Sequence, residues 1–391
     1  MTRRVSVVIA AVAVAAGAAG AVLYARDPAP TAKRPTGACT DWFVSPAYRR
    51  EVNSVRALVP RMKRAFAAPG LSIAIAADGK LVWSQGCGFA DLERRRAVTR
   101  TTQFRVGSVS KTLTAATIAR LGQQGRLDVD DDIGRYVAGV PAGPAPTLRQ
   151  LGGHLGGIRH YQAGEAINTR HYRSLADSLR IFINDPLVAP PGETFHYSSY
   201  GFNLLGAAVE RATNSRFARA VQAALLTPLR LRSTTVGRPP VGGTRFYEVT
   251  GARRAEPAPR IDLSDRYPSG GFLSTAEDLV RFAIGITSKS FLDPQSQAML
   301  FSSQRNRAGE QTGYGFGFEL GESPMGLVAG HTGNVVGGTA FLLIHPRSRV
   351  AVGLVTNIGF VTAPTPPDLS GTPEPPQLAM PFIRRVLEAR R

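Results

Sequence analysis

Ser108 and Lys111 stand three residues apart in Phe104-Arg-Val-Gly-Ser108-Val-Ser-Lys111. On a helix this spacing puts both side chains on one face, within reach of each other. A serine hydroxyl is a weak nucleophile until a base takes its proton, and lysine becomes that base when desolvation lowers its pKa. Apolar residues from Ser108 to Leu121 recur at helical spacing, which puts Ser108 at a helix N-terminus, where free backbone N–H groups favour an oxyanion. Tyr197 follows the Pro191-Gly192 turn and opens a second helix; its phenol could pass a proton between serine and leaving group if lysine charge lowered its pKa. In Gly330-His331-Thr332-Gly333-Asn334 the glycines would let backbone approach a substrate closely. Each feature alone also has a structural reading: an N-capping serine beside a surface lysine, a half-buried tyrosine, a structural histidine.

These residues need elements to position them. Leu71–Ala77 and Leu81–Gly88 are strand-like runs separated by Asp78-Gly79, a tight-turn signal. A helical-looking middle follows, including Ala166–Ile183 and Leu204–Leu226, and strand signals return at Tyr314–Leu320, Gly338–His345 and Arg349–Asn357. A Pro-rich loop, Thr362–Pro376, precedes an amphipathic helix from about Gln377 to Arg390. The order predicts an α/β fold: one antiparallel sheet built from both ends of the chain, flanked by helices, with a mostly helical subdomain inserted at about 112–265. The seam between sheet and helices is the natural place for a site.

The 391 residues are 43% hydrophobic and 19% charged, which excludes wholesale disorder, a fibrous repeat and a multi-span membrane protein. The net charge of +19 permits contact with anionic lipid or wall polymer. The arginine clusters lack interleaved aromatics, zinc-finger spacing or an RNP-like segment, so no nucleic-acid partner is expected. Residues 1–26, with Arg3-Arg4 before an uncharged stretch from Val5 to Ala25, read as a signal peptide or an N-terminal membrane anchor. Residues 27–40 read as a Pro-rich tether and 41–391 as a single domain. This predicts an extracytoplasmic protein of the periplasm or cell envelope, secreted or anchored. Cys39 and Cys87 are outside any metal or redox spacing, and either a disulfide or two unpaired thiols is consistent with the sequence.

Taken together, these segments resemble the serine beta-lactamase and penicillin-binding-protein superfamily, whose signature pairs Ser-x-x-Lys with a Lys-Thr-Gly partner. The pattern is most similar to the class C beta-lactamase, D-aminopeptidase and esterase branch. Two further blocks, Leu151-Gly-Gly-His154-Leu-Gly-Gly-Ile158 and Ser269-Gly-Gly-Phe-Leu-Ser274, match it. The Ile158-Arg-His-Tyr161 ending resembles the mitochondrial serine beta-lactamase-like protein. The resemblance implies that Ser108 is acylated, that Lys111 and Tyr197 move its proton, and that the N–H groups of Ser108 and Asn334 form the oxyanion hole. By the same resemblance His331, Thr332 and Gly333 line the substrate side, and neither cofactor nor metal is implied.

Two positions depart from class C enzymes. Ser199 stands where they have an asparagine, and His331 where they have a lysine, which weakens the contacts expected with a beta-lactam. The sequence therefore predicts a serine hydrolase acting on a peptide or ester through a Ser108 acyl-enzyme. The alternative is a catalytically silent envelope protein for binding or assembly, and a true beta-lactamase ranks lower.

Overall fold

The computed structural model describes residues 37–140, 145–240, 243–250, 254–362 and 374–391. The apolar N-terminal segment, most of the tether and most of the Pro-rich loop lie outside these residues. The main sheet has eight strands, seven of them in one continuous order, β1 (Cys39–Val44), β2 (Gly70–Ala77), β3 (Lys80–Asp91), β4 (Glu319–Ser323), β5 (Gly326–Val335), β6 (Gly338–His345) and β7 (Val350–Thr356), and a two-residue strand, Arg96–Ala97, that pairs only with β3. Their order is β1-β3-β2-β7-β6-β5-β4, and every neighbour is antiparallel. The two ends of the chain meet where β2 pairs with β7, from Leu71 opposite Thr356 to Ala76 opposite Ala351. Asp78 and Gly79 take positive φ values of 50° and 72°, the left-handed pair that a two-residue hairpin between β2 and β3 requires.

Both faces of the sheet are covered, which is why β2 reads as an unbroken apolar run. On one face Leu71, Ile73 and Ile75 pack with the helices α1 (Arg49–Arg56), α2 (Leu58–Ala65) and the C-terminal Pro375–Glu388 through Val52, Val59, Phe382 and Ile383. On the other, Ala74 and Ala76 face a core containing α3 (Ser110–Gln123). Short α4 (Leu148–Gly152), then α5 (Ser199–Thr213) and α6 (Ala276–Ile286) complete this side. α3 is buried at every position from Ser110 to Ala119, so it is an interior helix and its lysine has no route to solvent. Cys39 and Cys87 are opposite each other across β1 and β3 and form a disulfide.

Three expected elements differ. The stretch 166–183 forms only a short helix at Leu175–Leu179, because its backbone is held by tertiary partners: Arg266 donates to the carbonyls of Glu165 and Ala166. The helical stretch expected over 204–226 comes in two pieces: one begins earlier, at Ser199, and is capped at Asn214 by its left-handed φ of 48°, and a second runs from Phe217 to Leu226. Tyr314–Phe318 is a turn closed by Gly315 N–H to the Phe318 carbonyl, and the strand starts only at Glu319.

Candidate active site

Ser108 lies in a 3-10 turn, Gly107–Val109, that runs directly into α3. The chain just before it is pinned as a strand, with Phe104 opposite Ser274 and Arg105 opposite Leu273. Ser108 Oγ accepts a hydrogen bond from Lys111 Nζ at 2.9 Å and another from the Tyr197 hydroxyl at 2.8 Å. Lys111 Nζ also donates to Ser199 Oγ at 3.1 Å and to the Ser269 carbonyl at 2.9 Å. Three acceptors match the three protons of an ammonium. The balance is delicate, because Lys111 is wholly buried and desolvation, opposed by Glu319 and reinforced by Arg266, pulls its pKa down to about 7. When the amine is neutral its lone pair must face a hydroxyl, since the Ser269 carbonyl cannot donate. Ser108 is one of the two hydroxyls that can fill that role.

Tyr197 departs from the expected charge effect. Burial pushes its pKa up, and the Ser108 contact only partly opposes this, so the phenol keeps its proton and donates to Ser108. Two histidines hold the turn that carries it. His154 Nδ1 accepts the Ser198 N–H at 3.1 Å, and His160 Nδ1 accepts the Ser199 N–H at 3.2 Å. Both rings must therefore carry their proton on Nε2. Burial holds both pKa values down, that of His160 to about 4, so the clamp is neutral at pH 7. The His154 ring also packs on Tyr197, with centroids 4.4 Å apart.

Opposite Ser108 runs β5. A Cβ on Gly333 would lie 2.0 Å from the Val106 carbonyl oxygen and 3.2 Å from the Ser108 nitrogen, so only glycine lets the strand approach the turn. Gly107, at φ 51°, answers it: a Cβ there would meet the Asn334 nitrogen at 2.9 Å. The backbone nitrogens of Ser108 and Asn334 thus belong to two segments in close contact. Asn334 is exposed, and its Oδ1 accepts the Phe360 N–H.

His331 is buried, with both nitrogens engaged. Nδ1 is 2.5 Å from the Thr332 carbonyl, which can only accept, so this nitrogen carries the proton. Nε2 then accepts from the Tyr314 hydroxyl at 2.8 Å. Desolvation and the Lys111 charge hold the imidazole pKa down to about 3. Thr332 is half-buried, and its hydroxyl points at Glu319 Oε1, 3.5 Å away.

The structure thus brings Ser108, Lys111, Tyr197 and Ser199 into one hydrogen-bonded group, and sets Thr332, Gly333 and Asn334 along its edge. His331 is placed behind that edge, with no ring nitrogen left for a substrate. Reasoning from sequence missed the Ser269 carbonyl, the histidine clamp, Tyr314 and Glu319. Backbone acceptors leave no mark on residue type, whereas Tyr314, in the Gly313–Gly317 stretch just before β4, was read only as strand. Among the described residues no group of three or more His, Cys, Asp or Glu could hold a metal ion.

A sheet closed by both ends of the chain, a buried helix carrying Ser-x-x-Lys and a glycine-bearing strand beside the serine define a beta-lactamase-like serine hydrolase. The Beta-lactamase family model matches residues 55–368, and the chain belongs to that family. The human mitochondrial serine beta-lactamase-like protein LACTB is 27% identical over 78% of this chain and 73% of its own length. Among solved structures, the octameric penicillin-binding protein homologue from Pyrococcus abyssi superposes with a TM-score of 0.70 at 23% identity, covering 86% of this chain and 77% of that one. A D-amino acid amidase from Ochrobactrum anthropi SV3, complexed with D-phenylalanine, gives 0.68 at 20% identity over 86% of this chain and all (100%) of its own.

Proposed function

We propose that this protein hydrolyses a peptide or ester bond through an acyl-enzyme on Ser108. One observation carries the reading: the Ser108 hydroxyl oxygen is in hydrogen-bond contact with a buried lysine and a protonated tyrosine at once. In the first half-reaction neutral Lys111 takes the Ser108 proton as Oγ bonds to the substrate carbonyl carbon. The carbonyl oxygen becomes an oxyanion, held by the Ser108 and Asn334 N–H groups. The bond to the leaving group then breaks, with Tyr197 donating a proton to it and regaining one from Lys111. Water repeats the sequence in reverse and frees Ser108.

A peptide or ester fits this site better than a beta-lactam. Saturated, neutral His331 offers no cation to a substrate carboxylate, and Ser199 is committed to Lys111. The Cys39–Cys87 disulfide and the apolar Val5–Ala25 stretch support an extracytoplasmic location, secreted or anchored. The test is intact mass after exposure to a fluorophosphonate that labels activated serines. We expect a single adduct on the wild type and none on Ser108→Ala; no adduct on folded wild type would defeat the proposal and favour a binding or assembly role.

A further inference from the structure

We propose that Glu319 reads substrate charge in this cleft and selects molecules carrying a protonated amine beside the reacting carbonyl. The inference deepens the hydrolase reading and rests on it for the word substrate. The Glu319–Gly330 pair is the last between β4 and β5; beyond it β5 keeps β6 on one side but has lost β4 on the other as it runs past Thr332 to the Ser108 turn. Glu319 therefore marks the open end of the cleft, and its side chain keeps 30% exposure there.

The half-buried carboxylate lacks the arginine partners that Glu277 and Asp265 have. Glu277 is bridged by Arg100 and Arg281, and Asp265 by Arg266. Among the described residues Glu319 has no lysine or arginine within ion-pair distance, in a chain with 47 of them. Its nearest basic atom is His331 Nδ1 at 3.5 Å, whose proton is already given to the Thr332 carbonyl. Its other support is Thr332, through a long 3.5 Å contact from the hydroxyl and a backbone hydrogen bond, neither of which brings a charge. Desolvation raises its pKa to about 7, as expected for a carboxylate that lost water without gaining a cation. Lys111 acts on it through space, but its three protons are committed to Ser108, Ser199 and Ser269.

A ligand ammonium would supply the missing counter-charge, and a ligand carboxylate in the same place would face Glu319 with no cation to offset it. The amine should be attached to an apolar group. Phe195, 36% exposed, has its ring 5.8 Å from that of Tyr314, which in turn bonds His331. His331 thus links this aromatic pair, through Nε2, to Glu319, 3.5 Å from its Nδ1.

The test uses three probes of similar shape, phenethylamine, phenethyl alcohol and hydrocinnamate, bound to full-length Ser108→Ala at pH 8 and followed by ligand-observed NMR titration. We expect the amine to bind about tenfold or more tighter than the alcohol, as for a hydrogen bond to a charged group, and the carboxylate to bind weakest. Adding Glu319→Gln should bring amine and alcohol level, and Glu319→Asp should keep part of the preference. An amine that binds no better than the alcohol, a carboxylate that binds best, or a ranking unchanged by Glu319→Gln overturns the proposal. These outcomes need no turnover, so a failure of the hydrolase reading shows separately, as absence of the fluorophosphonate adduct.

Discussion

Acylation of Ser108 should follow the deprotonation of Lys111. The ordinary lysine value of 10.5 falls to about 7 at this site, so at pH 7 the free base is on the order of a thousandfold more abundant than for an exposed lysine. Single-turnover release of p-nitrophenol from a neutral p-nitrophenyl ester, followed between pH 5 and 10, would measure it. The rate should climb about tenfold per pH unit below neutrality and level off above a midpoint near 7. Lys111→Arg places a permanently charged group there and should slow acylation roughly 10²- to 10⁴-fold while flattening the profile. Glu319 also titrates near neutrality and its negative charge raises the lysine value. Glu319→Gln should therefore shift the midpoint downward without abolishing it, whereas loss of the profile would name Glu319 as the base. A midpoint near 10, or full activity in Lys111→Arg, would refute the reasoning. The same shift carries a stability consequence. Between about pH 7 and 10.5 the unfolded chain binds the lysine proton more readily than the native one, so this group's penalty is full below 7 and fades as pH rises through that window. Lys111→Met should accordingly melt higher than wild type at pH 7 while failing to acylate.

Gly333→Ala should damage activity more than stability, because its methyl group would meet the Val106 carbonyl at 2.0 Å and push β5 off the nucleophile turn. We expect a cost of about 1–3 kcal/mol in denaturant unfolding and a kcat that falls with little change in KM. Reduction of Cys39–Cys87, which closes a separation of 48 residues, should cost about 2–4 kcal/mol. Thermal melts with and without reductant would measure it, and the Ser108 adduct should still form, because β1 is at the sheet edge farthest from β5.

The legibility of this chain follows what residue type can encode. The β2–β3 hairpin was plain because Asp78-Gly79 fits only a narrow set of turns, and Ser108 with Lys111 because three-residue spacing fixes a helical face. β5 was hidden, since Gly326, Gly330 and Gly333 erase the alternation that marks a strand; they are there to admit neighbours. The helices α1 and α2 also passed unseen, their apolar side being only Val52, Val55, Val59 and Met62 among many arginines. The environment of Lys111 was legible as a requirement and not as a fact. Its amine is bonded to Ser269, 158 residues away, and is biased by the charges of Arg266 and Glu319, which no local pattern joins to it. For the same reason the pairing of Cys39 with Cys87 had to wait for the register of β1 against β3.

The meeting of β2 with β7 sets a timetable for the protein's manufacture. β2 is made among the first hundred residues, yet β7, its neighbour and the middle strand of the sheet order, is among the last. Ser108, Tyr197 and Asn334 come off the ribosome in that order, and the strand that meets the Ser108 turn arrives only after most of the polypeptide has been synthesised. A nascent chain thus holds Ser108 long before the strand that packs against its turn, and contacts of such long sequence range make closure slow.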